Sequence, residues 1–135
     1  MKSILLMFVL SLSVFAQSNE VKNYIKTLEL EVLKVEPTFK GFDIKRGEEI
    51  FTSKHIGKKG KEISCVSCHT NDLSKKGENF FTGKVIEPLS PKANSERLSS
   101  VKSVKKWLRR NFKDVYNREG TAKEKGDVLT YINTK

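Results

Sequence analysis

Methionine is absent from this chain after residue 7, and cysteine occurs only twice in 135 residues. Cys65 and Cys68 cannot build a disulfide framework, and neither stands where a lipid anchor would be attached. Histidine is equally scarce, with only His55 and His69. A structural zinc site wants four ligands from Cys and His, so it would have to take all four of these residues. His69, adjacent to Cys68, is badly placed for the same ion. A thioredoxin-like site needs a strand-helix setting, and no stretch here reads as a convincing strand. There is no internal repeat and no low-complexity segment. The single long apolar run, Ile4–Phe15, is too short to span a bilayer.

That run is instead the core of an export signal. Lys2 supplies the positive start, and Val14-Phe15-Ala16 places small residues at the −3 and −1 positions, so cleavage is expected after Ala16. The expected organisation is a leader over residues 1–16, an N-terminal helix and linker over 17–41, and the main domain over 42–135. The expected location is the periplasm. The formal charge is +10, and losing Lys2 with the leader leaves +9. Export argues against nucleic acid as the reason for that charge. A lysine-rich solvated surface and a dock for an acidic protein partner are the two readings left.

The pattern of apolar residues is helical throughout. Val21, Tyr24, Ile25, Leu28, Val32 and Val35 recur at three- and four-residue spacing, predicting a helix over 19–35 that Ser18 or Asn19 caps and Pro37 ends. Asp43 can cap a second helix over 44–53, where Gly47 before Phe51 suits a close helix crossing. Residues 54–64, rich in Gly and Lys, read as a loop. Pro88-Leu89-Ser90-Pro91 is a rigid extended piece. A helix capped by Ser99 or Ser100 is predicted from Val101 to about Asn111, with Val104, Leu108 and Asn111 on one face and Trp107 beside it. Thr121 and Glu124 form a capping box for the last helix. The fold class is all-α.

Cys65-Val66-Ser67-Cys68-His69 is the spacing that covalent haem attachment needs: each thiol adds to one vinyl group, and the following imidazole becomes the proximal iron ligand. The implied cofactor is one haem c. The opposite face of the iron decides what the protein does. A methionine there raises the potential of electron-carrying cytochromes c, and the mature chain has none. His55 and Asn111 remain. His55 would give a permanently six-coordinate bis-histidine electron shuttle. The amide oxygen of Asn111 would be a weak ligand, lost on reduction, leaving an iron that binds O2 or NO. As a plainer alternative, Asn111 could cap its helix and His55 could be a surface residue.

From about Arg46 onward the chain resembles the sphaeroides-haem-protein type of cytochrome c. The matching pieces are Arg46-Gly47 with Phe51, the Ser64-to-His69 motif, Thr82-Gly83-Lys84 with Ile86, Pro88, Leu89 and Pro91, Lys106-Trp107-Leu108 with Arg110-Asn111, and Glu124-Lys125 with Asp127 and Leu129. The resemblance implies a class-I-like cytochrome c fold whose first and last core helices cross, preceded here by an extra N-terminal helix. It implies oxygen or nitric oxide binding at the reduced iron, with electrons from a dihaem cytochrome c and a membrane cytochrome b. The family's asparagine ligand falls on Asn111; the cysteine that follows it in other members is Phe112 here. An imidazole that reaches the iron outcompetes an amide, so His55 is the expected resting ligand, with Asn111 lining the distal pocket. Trp107, Pro88 and Leu89 complete the expected haem contacts. A carbonyl near Pro88 is expected to accept from His69, and Lys84 or Arg97 to face the propionates.

Overall fold

The computed structural model describes residues 18–135, so the expected leader lies outside the described residues. Ser18 accepts a hydrogen bond from the Val21 amide and starts helix α1, Asn19–Val35, with the bounds that its apolar spacing predicts. Asp43 caps helix α2, Ile44–Thr52, by accepting from the Arg46 amide at 2.7 Å. Helix α3, Val66–His69, is a single turn that carries the haem motif. Ser100 caps helix α4, Val101–Tyr116. Helix α5, Ala122–Asn133, opens with the expected box: the Thr121 hydroxyl accepts from the Glu124 amide and the Glu124 carboxylate from the Thr121 amide.

Helices α2 and α5 cross closely, and their sequences explain why. A side chain at Gly47 would overlap the Asp127 carbonyl and crowd Tyr131, so the roughly 1 kcal/mol that a mid-helix glycine costs is offset by the crossing. Phe51 then lies 5.5 Å from the Tyr131 ring. Arg46 straddles the crossing, its guanidinium on both oxygens of the buried Asp127 at 2.9 and 3.0 Å. Helix α1 packs across α5 and α4. Its Val21 and Leu28 belong to the same buried cluster as Phe51, Leu108 and Leu129, so the N-terminal helix is part of the core.

Two expectations are corrected. Helix α4 does not stop near Asn111 but runs to Tyr116, where Asn117 adopts the left-handed conformation at φ 54°. The apolar face continues through the buried Phe112 and Val115, and that burial outweighs the weak helix propensity of asparagine. Nor is the segment over 54–64 a bare loop. Strands β1, His55–Ile56, and β2, Glu62–Ile63, pair antiparallel with His55 opposite Ile63. A second short ladder joins β3, Gly77–Glu78, to β4, Val85–Ile86. Both hairpins are anchored from outside. Asn117 Nδ2 donates to the Ile56 carbonyl at 2.8 Å, and Gly77 lies against the Cys68 carbonyl too closely for a side chain. No helix among the described residues is long and apolar enough to cross a membrane.

Candidate haem site

Cys65 has helical backbone angles and leads directly into α3, so the two thiols and the imidazole sit on one turn. The turn is held locally. The Cys68 and His69 amides both donate to the Cys65 carbonyl, at 3.2 and 3.0 Å. The Ser67 hydroxyl accepts from the Ser64 amide at 3.0 Å. Thr70, at φ 63°, ends the turn. Both cysteines are free thiols, and the Cys68 sulfur accepts from the Phe80 amide at 3.3 Å. Burial, with the other thiol nearby, pushes Cys65 up to about 12. It is thus a thiol at neutral pH, the opposite of what a thiol-exchange nucleophile requires. Burial, assisted by the Arg97 charge, pushes His69 down to about 4. Its ring is neutral, the form that binds a metal.

All three side chains open onto a cavity of about 460 Å³, within the range of cofactor pockets. Phe51 and Val128 close one part of it, Leu89 and Leu98 another, and the α4 residues Val104, Trp107, Leu108 and Asn111 a third. The lining is mainly apolar. A planar apolar group with two vinyl ends fits two thiols, an imidazole and apolar walls. A zinc ion does not fit, because no three His, Cys, Asp or Glu side chains converge among the described residues.

Asn111, Trp107 and Leu89 line the cavity. Asn111 is a mid-helix residue, so the helix-capping explanation for it fails. His55 is not among the lining residues. Its ring stacks on Tyr116 at 4.1 Å between centroids, and its Nε2 is buried without a hydrogen-bond partner. Tyr116 does line the cavity, and its hydroxyl donates to the Ile50 carbonyl at 2.7 Å. Burial is the main cause that pushes this phenol up to about 12. Sequence reasoning missed Tyr116, although the spacing from Leu108 through Phe112 to Val115 carries the helix to it. Pro88 is not among the lining residues. Its carbonyl accepts from Arg97 Nε at 2.8 Å and Asn94 Nδ2 at 3.3 Å, while Arg97 Nη2 takes the Glu87 carbonyl at 2.7 Å. Lys84 and Arg97 both reach the cavity wall.

A helical fold with a crossed α2/α5 pair, and an apolar cavity bearing Cys-x-x-Cys-His, defines a c-type cytochrome with covalently bound haem. Residues 37–132 match a family described as a domain of unknown function (DUF1924). The cytochrome c-type protein SHP of Cereibacter sphaeroides is 39% identical over 90 residues, 67% of this chain and 69% of that protein. Cytochrome c'' of Methylophilus methylotrophus is 31% identical over 99 residues, 73% and 69% of the two chains. Among solved structures, oxidized cytochrome c'' superposes with a TM-score of 0.76 at 27% identity, covering 85% of this chain and 94% of that one. Oxidized SHP, described as an oxygen-binding cytochrome c, gives 0.74 at 32% identity over 85% and 96%. The chain belongs to the SHP-type monohaem cytochromes c.

Proposed function

We propose that this cytochrome is exported to the periplasm and binds a diatomic gas, O2 or NO, at its reduced haem. In this reading residues 1–16 are removed on export, 17–41 form the N-terminal helix and linker, and 42–135 form the haem domain. Cys65 and Cys68 attach the cofactor, His69 is the proximal ligand, and Asn111 faces it from α4. The haem supplies an iron that changes between ferric and ferrous and, when reduced, a position open to a diatomic molecule. The observation that carries the reading is an amide in the middle of a helix, on the wall of an apolar cavity, where a polar group needs a partner. An amide oxygen is a weak, hard donor suited to ferric iron. Asn111 would hold the ferric iron only weakly through its amide oxygen, and its NH2 group would be a hydrogen-bond donor to a bound diatomic molecule. The oxygen binding ascribed to SHP supports this, as does the haem-ligand detachment studied in cytochrome c''. A dihaem cytochrome c and a membrane cytochrome b are the electron suppliers that fit such a protein.

One observation favours a second reading, a bis-histidine electron shuttle: the partnerless Nε2 of His55. In that case the imidazole of His55, now against Tyr116, would be the second iron ligand. Exposing the dithionite-reduced protein to CO or NO separates the two. Gas binding predicts a changed absorption spectrum within minutes, and an unchanged one leaves only the shuttle. Asn111→Ala should alter the ferric spectrum while His55→Ala leaves it as in the wild type. The reverse result assigns the ligand to His55.

A further inference from the structure

Helix α4 carries Lys102, Lys105, Lys106, Arg109, Arg110 and Lys113, all exposed, against one acidic residue, Asp114. Asp114 already lies 3.2 Å from Lys58 of the first hairpin. Some basic residues elsewhere are neutralised at close range, among them Lys123 by Glu36, Lys125 by Glu119 and Arg118 by Glu124, at 2.8, 2.8 and 2.6 Å. None of the six α4 cations has such an ion pair among the described residues. Glu31 and Glu119 share a groove with Lys105, Lys106 and Arg109 and offset part of the charge along the edge facing α1. Like charges three and four residues apart repel, and Lys102 in the first turn opposes the helix dipole. Folding stability does not account for this stripe.

Trp107 stands in its middle. The indole is 46% exposed, yet it also forms part of the cavity wall. Lys106 Nζ and the Arg110 guanidinium lie 5.2 and 5.5 Å from its ring centroid. We infer that this face of α4 docks an acidic electron-transfer protein, with Trp107 as the contact that joins the partner to the cavity. The inference rests on the haem-in-cavity reading above. Complementary charge brings the partner in quickly and fixes its orientation. One electron would then pass from the partner to the haem, taking the iron from ferric to ferrous. An anionic membrane fits less well. The apolar face of α4, with Val104, Leu108, Phe112 and Val115, is buried in the core, and a lone indole lacks the whole apolar face that a surface-bound helix inserts.

The test uses the haem-loaded protein and an acidic flavodoxin, whose hydroquinone becomes the semiquinone as it gives up one electron. Binding to immobilised flavodoxin should weaken as salt rises. Lys106→Glu/Arg110→Glu should weaken it about tenfold at low salt and slow the flavodoxin-driven reduction by a similar factor. Lys40→Glu/Lys45→Glu, the same charge change at exposed sites by α2, should leave both within about twofold. The indole N–H resonance of Trp107, the only tryptophan, should shift when flavodoxin is added. Equal losses in the two double variants would overturn the inference, as would binding to phosphatidylglycerol vesicles with none to flavodoxin. Dithionite distinguishes the failures. If it cannot reduce a haem in the wild type, the haem reading falls. If it reduces every variant while flavodoxin does not discriminate among them, the haem reading stands and the docking face falls.

Discussion

Asp127 is almost wholly buried and holds three donors at the α2/α5 crossing: two from the Arg46 guanidinium and the Asp43 amide at 2.7 Å. Bonds to a charged group contribute about 1.5–3 kcal/mol each. The Arg46 side chain is 42% exposed and recovers part of its loss in water. Asp127→Ala should therefore cost about 3 kcal/mol, seen as a lower urea midpoint at unchanged slope. A loss under about 1 kcal/mol would mean that the network is decorative. Residue type and spacing alone made Asp43 a cap, Gly47 a crossing point and Cys65–His69 a haem turn. They did not place His55. A lone histidine in a Lys- and Gly-rich segment carries no periodicity, and its position follows from the β1–β2 register, which the burial of Ile63 sets.

Helix α5 shows an element whose start the sequence announces and whose pH response the structure adds. Glu124 completes the capping box and also binds Arg118 through both oxygens, at 2.8 and 2.6 Å. Arg118 is the main cause that holds this carboxyl down to about 2, with Thr121 helping and burial opposing. The folded value lies below the unfolded one, near 4.3. The stabilisation is therefore complete above about pH 5 and fades as the pH falls toward 2. Arg118 is half exposed, so screening limits the contribution to about 1 kcal/mol. Glu124→Gln should lose that much at pH 7 and converge with the wild type near pH 2 in paired thermal melts. A constant gap across that range would place the effect elsewhere. Helix α4 was legible in face but not in length. Its end depends on Asn117 taking a left-handed turn and bonding to Ile56 across 61 residues, a contact no local pattern announces.

At the scale of the whole molecule the core is built around a space rather than around side chains. The cavity of about 460 Å³ takes its walls from α2, α4, α5 and the segments on either side of the haem motif. No sequence pattern gives this volume, because it depends on how separately legible helices meet. At about 24 cal/mol per Å³ of cavity, leaving it empty costs on the order of 11 kcal/mol. Its open mouth makes that an upper figure. Small domains have about 5–15 kcal/mol of total stability, so the penalty is comparable with everything the fold has. The covalently held haem is thus part of the core and not an addition to it. Cys65→Ala/Cys68→Ala, which removes both attachment points, should yield a chain that keeps partial helix by far-ultraviolet circular dichroism but melts without a cooperative transition. Cys68→Ala alone, with one thioether left, should still stain for haem on a denaturing gel and still melt cooperatively. If the haem-free double variant melts as sharply as the wild type and within a few degrees of it, side-chain packing closes the cavity on its own, and the haem is a passenger in a fold that does not need it.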